Sequence, residues 1–273
     1  MLAARRHGCK APDVAPVPLR FEVRPVLREP ALVLALEGWN DAGESASTAA
    51  RWIARSIAAV PLAEIDPEEF FDFTVRRPEV AVEDGCATRV EWPTSRFLYA
   101  ARDGAGDLVV GLGIEPHLRW RAWSDEVLRL VDELGIRKVA LLGAYLADVL
   151  YSRPVDVTAV AGDGELLAKL DLEPVRYAGP TGMIGLLGLR LREAGCEVLS
   201  LWASLPHYIQ MSPNARGALA LVERAAPFLD LRFDLASLRA AAEECEQRIS
   251  QLVSVDPELA EYVRELKRRE FAQ

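Results

Sequence analysis

Short apolar runs, each followed by a segment with helical spacing, constrain this chain more than any other feature. Residues 31–36 (ALVLAL), 108–114 (LVVGLGI), 139–142 (VALL) and 196–202 (CEVLSLW) are such runs, and 154–161 (PVDVTAVA) is a further one. Runs this short with little polar alternation belong to strands buried on both faces. After the first run, Ala46, Ala49, Ala50, Ile53, Ala54 and Ile57 recur at helical spacing until Pro61. The spacing predicts further helices over 124–134, closed by Gly135 as a C′ residue, over 165–170, and from Gly182 to Ala194. Ser212-Pro213 reads as an N-cap and first helical residue of another, reaching about Ala226. Strand–helix units joined by short connections predict an α/β fold, a mostly parallel sheet between helices. Residues 70–101 differ: FFDFTVRR, TRVEW and RFLYAA are short, aromatic and β-branched, and read as antiparallel strands.

The two ends depart from this pattern. Residues 1–18, rich in proline and small side chains, read as a flexible arm, and 19–230 as the α/β body. In 231–273, Leu235, Leu238, Ala242, Cys245, Ile249 and Leu252 step by three and four, a narrow a/d stripe. Asp256-Pro257-Glu258 starts a second helix carrying Leu259, Val263 and Leu266. The pair predicts a helical hairpin that covers the body, grips another subunit, or does both.

Composition narrows the function classes. With 51% hydrophobic and 27% charged residues, the chain is globular in type. A formal net charge of −9 disfavours dedicated nucleic-acid binding, which needs clustered lysine and arginine. No run approaches the ~20 apolar residues of a membrane span. The N-terminal MLAARRHGCKAPD has arginines but no apolar segment behind them, and the four cysteines are scattered without a C-x-x-C pair. Both point to a reducing cytoplasm.

The segments that follow the parallel strands hold the candidate chemistry, because open α/β sheets bind ligands at that edge. Gly38 and Gly43 have phosphate-loop spacing, but Glu44 stands at the lysine position and would repel a phosphate. The plainer reading makes Asp41 a helix N-cap, with Glu44 closing a capping box. The functional reading turns Glu37, Trp39, Asn40 and Asp41 towards a pocket. Glu115, His117 and His207 are candidates for proton transfer. Arg119 and Arg153 would hold an anionic group, and Trp120, like Trp39, would stack on a ring. Thr181 and Gly182, in a Gly-Pro-Thr-Gly turn before a helix, hold an anion or simply permit a tight turn; Tyr208 completes the set. Glu115 and His117 lie two apart beside a proline, which is no metal-ligand spacing, so neither metal nor cofactor is expected. No nucleophile elbow surrounds Ser204 or Ser212.

Taken in order, LALEGWNDAGESAS, GIEPHLRW, LGAYLADV, GPTGMIGLLG, LWASLPHY and SPNARGALALVERA resemble the bacterial branch of the proteasome assembly chaperone family, of its second-subunit type. The resemblance spans most of the chain. It implies a three-layer α/β/α sandwich of nucleoside-phosphorylase-like topology with an added helical C-terminus, assembled as a homotrimer. It also implies a non-catalytic chaperone or scaffold acting through protein contacts, with proteasome subunits as partners. The hairpin residues Leu235, Leu238, Ala242, Ile249, Leu252, Leu259, Val263 and Leu266 would then serve oligomer or partner contact. Relatives dock with a tail of the form hydrophobic–tyrosine–any residue; here Phe271-Ala272-Gln273 has alanine at the tyrosine position. The competing reading is a nucleoside-type hydrolase or phosphorylase with its site on the strand edge.

Overall fold

The computed structural model describes residues 18–83 and 86–271. The expected arm lies outside these residues except for Pro18, as do Ala272 and Gln273 of the tail. Strands β1 (Leu19–Phe21) and β2 (Ala31–Glu37) precede helix α1 (Ser45–Ser56). Then come β3 (Val60–Ile65), β4 (Glu79–Glu83), β5 (Cys86–Glu91), β6 (Ser95–Ala100) and β7 (Leu108–Ile114). Helix α2 (Trp120–Glu133), β8 (Lys138–Ala147), β9 (Val157–Ala161), α3 (Gly164–Lys169) and β10 (Glu173–Pro174) follow. The chain closes with α4 (Met183–Glu193), β11 (Glu197–Pro206), α5 (Ala215–Phe228), α6 (Ala236–Val255) and α7 (Pro257–Phe271).

Nine strands form one sheet in the order β1-β3-β6-β7-β2-β8-β11-β9-β10, and β4 and β5 form a separate two-stranded ribbon. The centre, β7-β2-β8-β11, is parallel. Both flanks bring antiparallel pairs, so the sheet is mixed and not mostly parallel. The cause is connection length. A parallel neighbour needs a crossover of about a dozen residues or more, whereas only residues 148–156 join β8 to β9. The 154–161 run therefore returns antiparallel to β11. Of the antiparallel strands expected within 70–101, TRVEW and RFLYAA match β5 and β6. FFDFTVRR is no strand: residues 70–77 form turns, with Val75 N and Arg76 N both donating to the Asp72 carbonyl, and β5 pairs instead with Glu79–Glu83.

The apolar runs are buried on both faces because alternate side chains serve different cores. Ala31, Val33 and Ala35 of β2 join α1 and α5, while Leu32, Leu34 and Leu36 join α2 and α4. Pro61 does not end α1, which stops at Ser56; the proline lies inside β3. Helix α5 starts later than expected. Its N-cap is Asn214, whose Oδ1 accepts from Gly217 N at 3.1 Å, while Ser212 Oγ donates to Glu44 at 2.5 Å.

A third, smaller core lies beneath the C-terminal hairpin. Cys245, Ile249, Val253, Val263 and Leu266 pack with Leu150 and Ile209 from loops beyond β8 and β11. Leu238 joins the α1–α5 core, Ala242 is buried, and Leu235 and Leu259 are half-buried. The seam named for partner contact is thus spent largely on the chain's own body. Leu252, at 46% exposure, stays open.

Candidate functional site

In-register pairing of the four central strands delivers their exits to one rim, with Glu37 opposite Ile114 and Leu205 opposite Leu146. Pairing continues one step past the end of β2. Ala144 N donates to the Asn40 carbonyl at 2.8 Å, and Asp41 bridges Ala144. Asn40 is thereby buried at 1% exposure. Its Nδ2 donates to Glu115 Oε1 at 2.7 Å, and Met183 N donates to the same oxygen at 2.6 Å. Glu115 is further fixed by its own N–H, which donates to the Glu37 carbonyl at 2.8 Å.

This contact decides what the Gly-Pro-Thr-Gly turn is for. The start of α4 offers unpaired N–H groups and a favourable dipole end to an anion, and the chain's own Glu115 is the anion it holds. A Cβ on Gly182 would fall 2.3 Å from Asn40 Nδ2 and 2.6 Å from Glu115 Oε1, so the position takes glycine for close approach. Glu115 accordingly ties β2, β7 and α4 together, with one oxygen already taken by two donors.

The other nominated groups are engaged separately. Glu37 pairs with Arg51 at 2.8 Å and with Arg76 at 3.8 Å. Asp41 is not the N-cap of α1 as expected: that position is Glu44, after a 3-10 turn over Ala42–Glu44. Asp41 Oδ1 nevertheless accepts from Ala46 N at 2.7 Å and Ser47 N at 3.2 Å in the first turn of α1. Glu44 closes no capping box; it turns instead to Ser212 and Arg51. Burial raises the Asp41 carboxyl above its usual range, against the lowering effect of these N–H bonds. His117 Nδ1 accepts from Asp72 N at 3.0 Å and its ring meets Phe71 edge-on, so it anchors the 70–76 segment. Arg119 pairs with Glu69, Trp120 Nε1 donates to the Pro116 carbonyl at 2.6 Å, and Arg153 pairs with Glu270 at 3.3 Å. Thr181 is exposed, its hydroxyl 3.4 Å from the Gly182 carbonyl.

His207 and Tyr208 belong to a different group, one that sequence reasoning missed in part. His207 Nε2 lies 2.6 Å from Asp148 Oδ1 and 2.8 Å from the Tyr262 hydroxyl of α7, which donates to Asp148 at 3.0 Å. Tyr208 OH donates to the Val149 carbonyl and accepts from Tyr151 N, each at 3.0 Å, and burial raises its hydroxyl. These side chains clasp α7 to the rim. Tyr262 lies on the polar margin of the hairpin seam, and no spacing rule links it to His207.

The expected acid/base set is therefore divided: Glu115, His117 and His207 each have a different partner on a different element. Among the described residues, no group of three or more His, Cys, Asp or Glu converges on a metal position. A cavity at this rim, bordered by Tyr151, Arg153, Ser204 and Arg216, holds about 60 Å³. Small-molecule sites usually need about 300 Å³ or more. A cleft of about 680 Å³ lies elsewhere, between β5 and the β1–β3–β6 edge, where Arg20 and Asp66 pair at 2.6 Å. What the rim does leave open is apolar: Trp39 is 64% exposed, Leu118 50%, Tyr145 40% and Leu146 57%. The last three escaped the sequence reading as contact residues because exposure has no local signature.

A sequence model described as the PAC2 family matches residues 35–253. No curated protein matches the chain. Among solved structures, it is similar to the proteasome-assembly chaperone homologue Rv2125 of Mycobacterium tuberculosis. The two are 39% identical over 85% of this chain and 99% of that one, with a TM-score of 0.79. A PAC2 family protein from Streptomyces avermitilis is also 39% identical, over 86% of this chain and 99% of that one, with a TM-score of 0.77. The protein of unknown function Rv2714 of Mycobacterium tuberculosis is 30% identical over 94% of this chain and 92% of its own length, at a TM-score of 0.84.

Proposed function

Because the chain belongs to the PAC2 family, we propose that it is a non-catalytic assembly chaperone that acts through protein surfaces on proteasome subunits. One observation carries this reading. The polar groups nominated for catalysis are bound within the chain, while Trp39, Leu118, Tyr145 and Leu146 on the same rim are exposed. Aromatic and aliphatic side chains exposed together serve protein contact. The likeness to Rv2125, described as a proteasome-assembly chaperone homologue, supports the partner class.

The same proposal covers the finer architecture. Separate cores on the two faces of the sheet favour a three-layer α/β/α sandwich of nucleoside-phosphorylase-like topology over residues 19–230, with 231–273 as an appended hairpin. We take the working form to be a homo-oligomer, a trimer. No helix among the described residues is long and apolar enough to cross a membrane. Free buried thiols at Cys196 and Cys245 suit a reducing compartment, the cytoplasm.

Native mass spectrometry of protein purified gently from its own cells tests this. The expected spectrum contains a homo-oligomer and its complex with proteasome subunits, and the oligomer turns over no nucleoside. A protein that retains no proteasome subunit, and fails to bind purified ones, would overturn the chaperone reading.

A further inference from the structure

Helix α7 is lightly anchored for its length. Of its residues 257–270, only Val263 and Leu266 are buried, whereas α5, one residue shorter than α7, buries six. Leu259 and Tyr262 are half-buried, so the apolar seam steps by four and three through Leu259, Val263 and Leu266. The opposite face is charged, with Glu258, Glu261, Arg264 and Lys267 all exposed. A helix of about this length is marginal in water by itself, so its place depends on what that seam buries.

The remaining fastenings are polar and open to water. Asp148 and His207, which meet Tyr262, are exposed, and so are Arg153 and Glu270, which pair with each other. Exposed pairs of this kind contribute little to holding two elements together. Packing is incomplete as well: the cavity of about 60 Å³ is bordered by Leu150, Tyr151, Arg153 and Glu270, so it opens against the last turn of α7. Beneath the helix lies an apolar floor of Leu150, Ile209, Ile249 and Val253. Leu150 follows exposed Leu146 by four residues on the β8 exit, and His207 and Ile209 leave from the neighbouring β11. The covered floor and the open apolar patch are therefore parts of one rim.

We propose that α7 is a displaceable cover, and that the groove beneath it takes an amphipathic helix of a partner protein whose apolar side chains are spaced four and three. The occupant is specified by α7 itself: the floor accommodates apolar side chains at the spacing of Leu259, Val263 and Leu266, a helix laid in a groove. A partner helix on this site gains the vacated floor and also the exposed Leu146 beside it, which α7 leaves open. That extra contact is what lets it displace a tethered helix. This rests on the assembly-chaperone reading above and deepens it: the contact segment of the proteasome subunit is a helix, and α7 keeps the groove shut until that helix arrives.

A labelled peptide of residues 257–270, added to the full chain, probes the groove. The wild type is compared with Tyr262→Phe combined with Glu270→Gln, which removes the polar fastenings and leaves the apolar seam in place. Hydrogen exchange reports the opening of α7, with the amides of β2 and β8 as a check on folding. The double variant is expected to open α7 about threefold to tenfold more than the wild type. It is expected to bind the peptide more tightly by the same factor, since apparent affinity scales with the open fraction. A peptide carrying Val263→Asp and Leu266→Asp is expected not to bind. If α7 opens more in the variant yet the peptide binds neither protein, or binds both equally, the groove is no docking site and the cover is overturned. It is equally overturned if α7 in the variant exchanges no faster than in the wild type. Purified proteasome subunits are then added as competitors. Displacement of the peptide supports both readings; a bound peptide that no subunit displaces leaves the cover standing and overturns the proteasome subunit as its partner.

Discussion

Asp41 accepts N–H bonds from the first turn of α1 and is buried at once, and the two conditions pull its carboxyl in opposite directions. Its Oδ1 holds the first N–H groups of α1, while Oδ2 is buried and, among the described residues, finds no hydrogen-bond partner. Burial wins, and the folded carboxyl titrates above its unfolded value. The fold therefore favours the protonated acid. The stability this contributes is present below the unfolded pKa and is lost as pH rises through the folded one. Asp41→Asn keeps an oxygen for Ala46 and Ser47 but cannot ionise. The wild type should lose stability relative to the variant across that rise, as measured by urea unfolding from acid to neutral pH. A difference that stays constant with pH would show that ionisation at Asp41 carries no cost. At this scale the sequence showed that Asp41 belongs to the start of α1, but not that a 3-10 turn intervenes and leaves the N-cap position to Glu44, while the Asp41 carboxylate reaches on to Ala46 and Ser47. Glu115 was readable as important but not as the anion held by α4, because nothing in the spacing of Asn40, Glu115 and Met183 brings them together.

At the scale of elements, the hairpin shows where a periodic pattern stops being a guide. A strict three–four alternation predicts Leu252 on the seam after Ile249. An α-helix advances 3.6 residues per turn, so a straight one drifts from a 3.5 repeat, and the buried position is Val253. Ile249 is 1% exposed and lies in the small core with Leu150 and Ile209. Ile249→Ala should cost about 2–5 kcal/mol in chemical unfolding, and Leu252→Ala no more than about 0.5 kcal/mol. Equal losses would mean that the seam runs as the strict repeat has it. The α5 start teaches a similar lesson. Ser212-Pro213 has the right chemistry for a helix entry, yet Asn214 caps the helix, with its N–H also donating to the Gly43 carbonyl at 2.7 Å. A contact across the chain chose between two plausible caps.

For the whole molecule, stability should grade outward from the centre of the sheet. Strands β2 and β8 have neighbours on both sides and a core on each face, so their amides should exchange only through global unfolding. The α6–α7 hairpin, resting on its smaller core and the Tyr262 clasp, should open at lower free energy. Native-state hydrogen exchange under increasing denaturant checks this order; equal protection in hairpin and sheet would make the hairpin part of the body's cooperative unit.

The amino-acid sequence by itself determined the α/β class, the buried parallel strands, the helices with their glycine stops, and the presence of a terminal hairpin. Each of these follows from local periodicity and capping, which depend on neighbours a few residues apart. Only the tertiary structure decided the mixed sheet, the use of the hairpin seam within its own chain, the division of the rim's polar groups among separate partners, and which apolar side chains stay exposed. Those outcomes depend on which distant segments share the same surface, and burial and pairing across such distances leave no mark in local spacing.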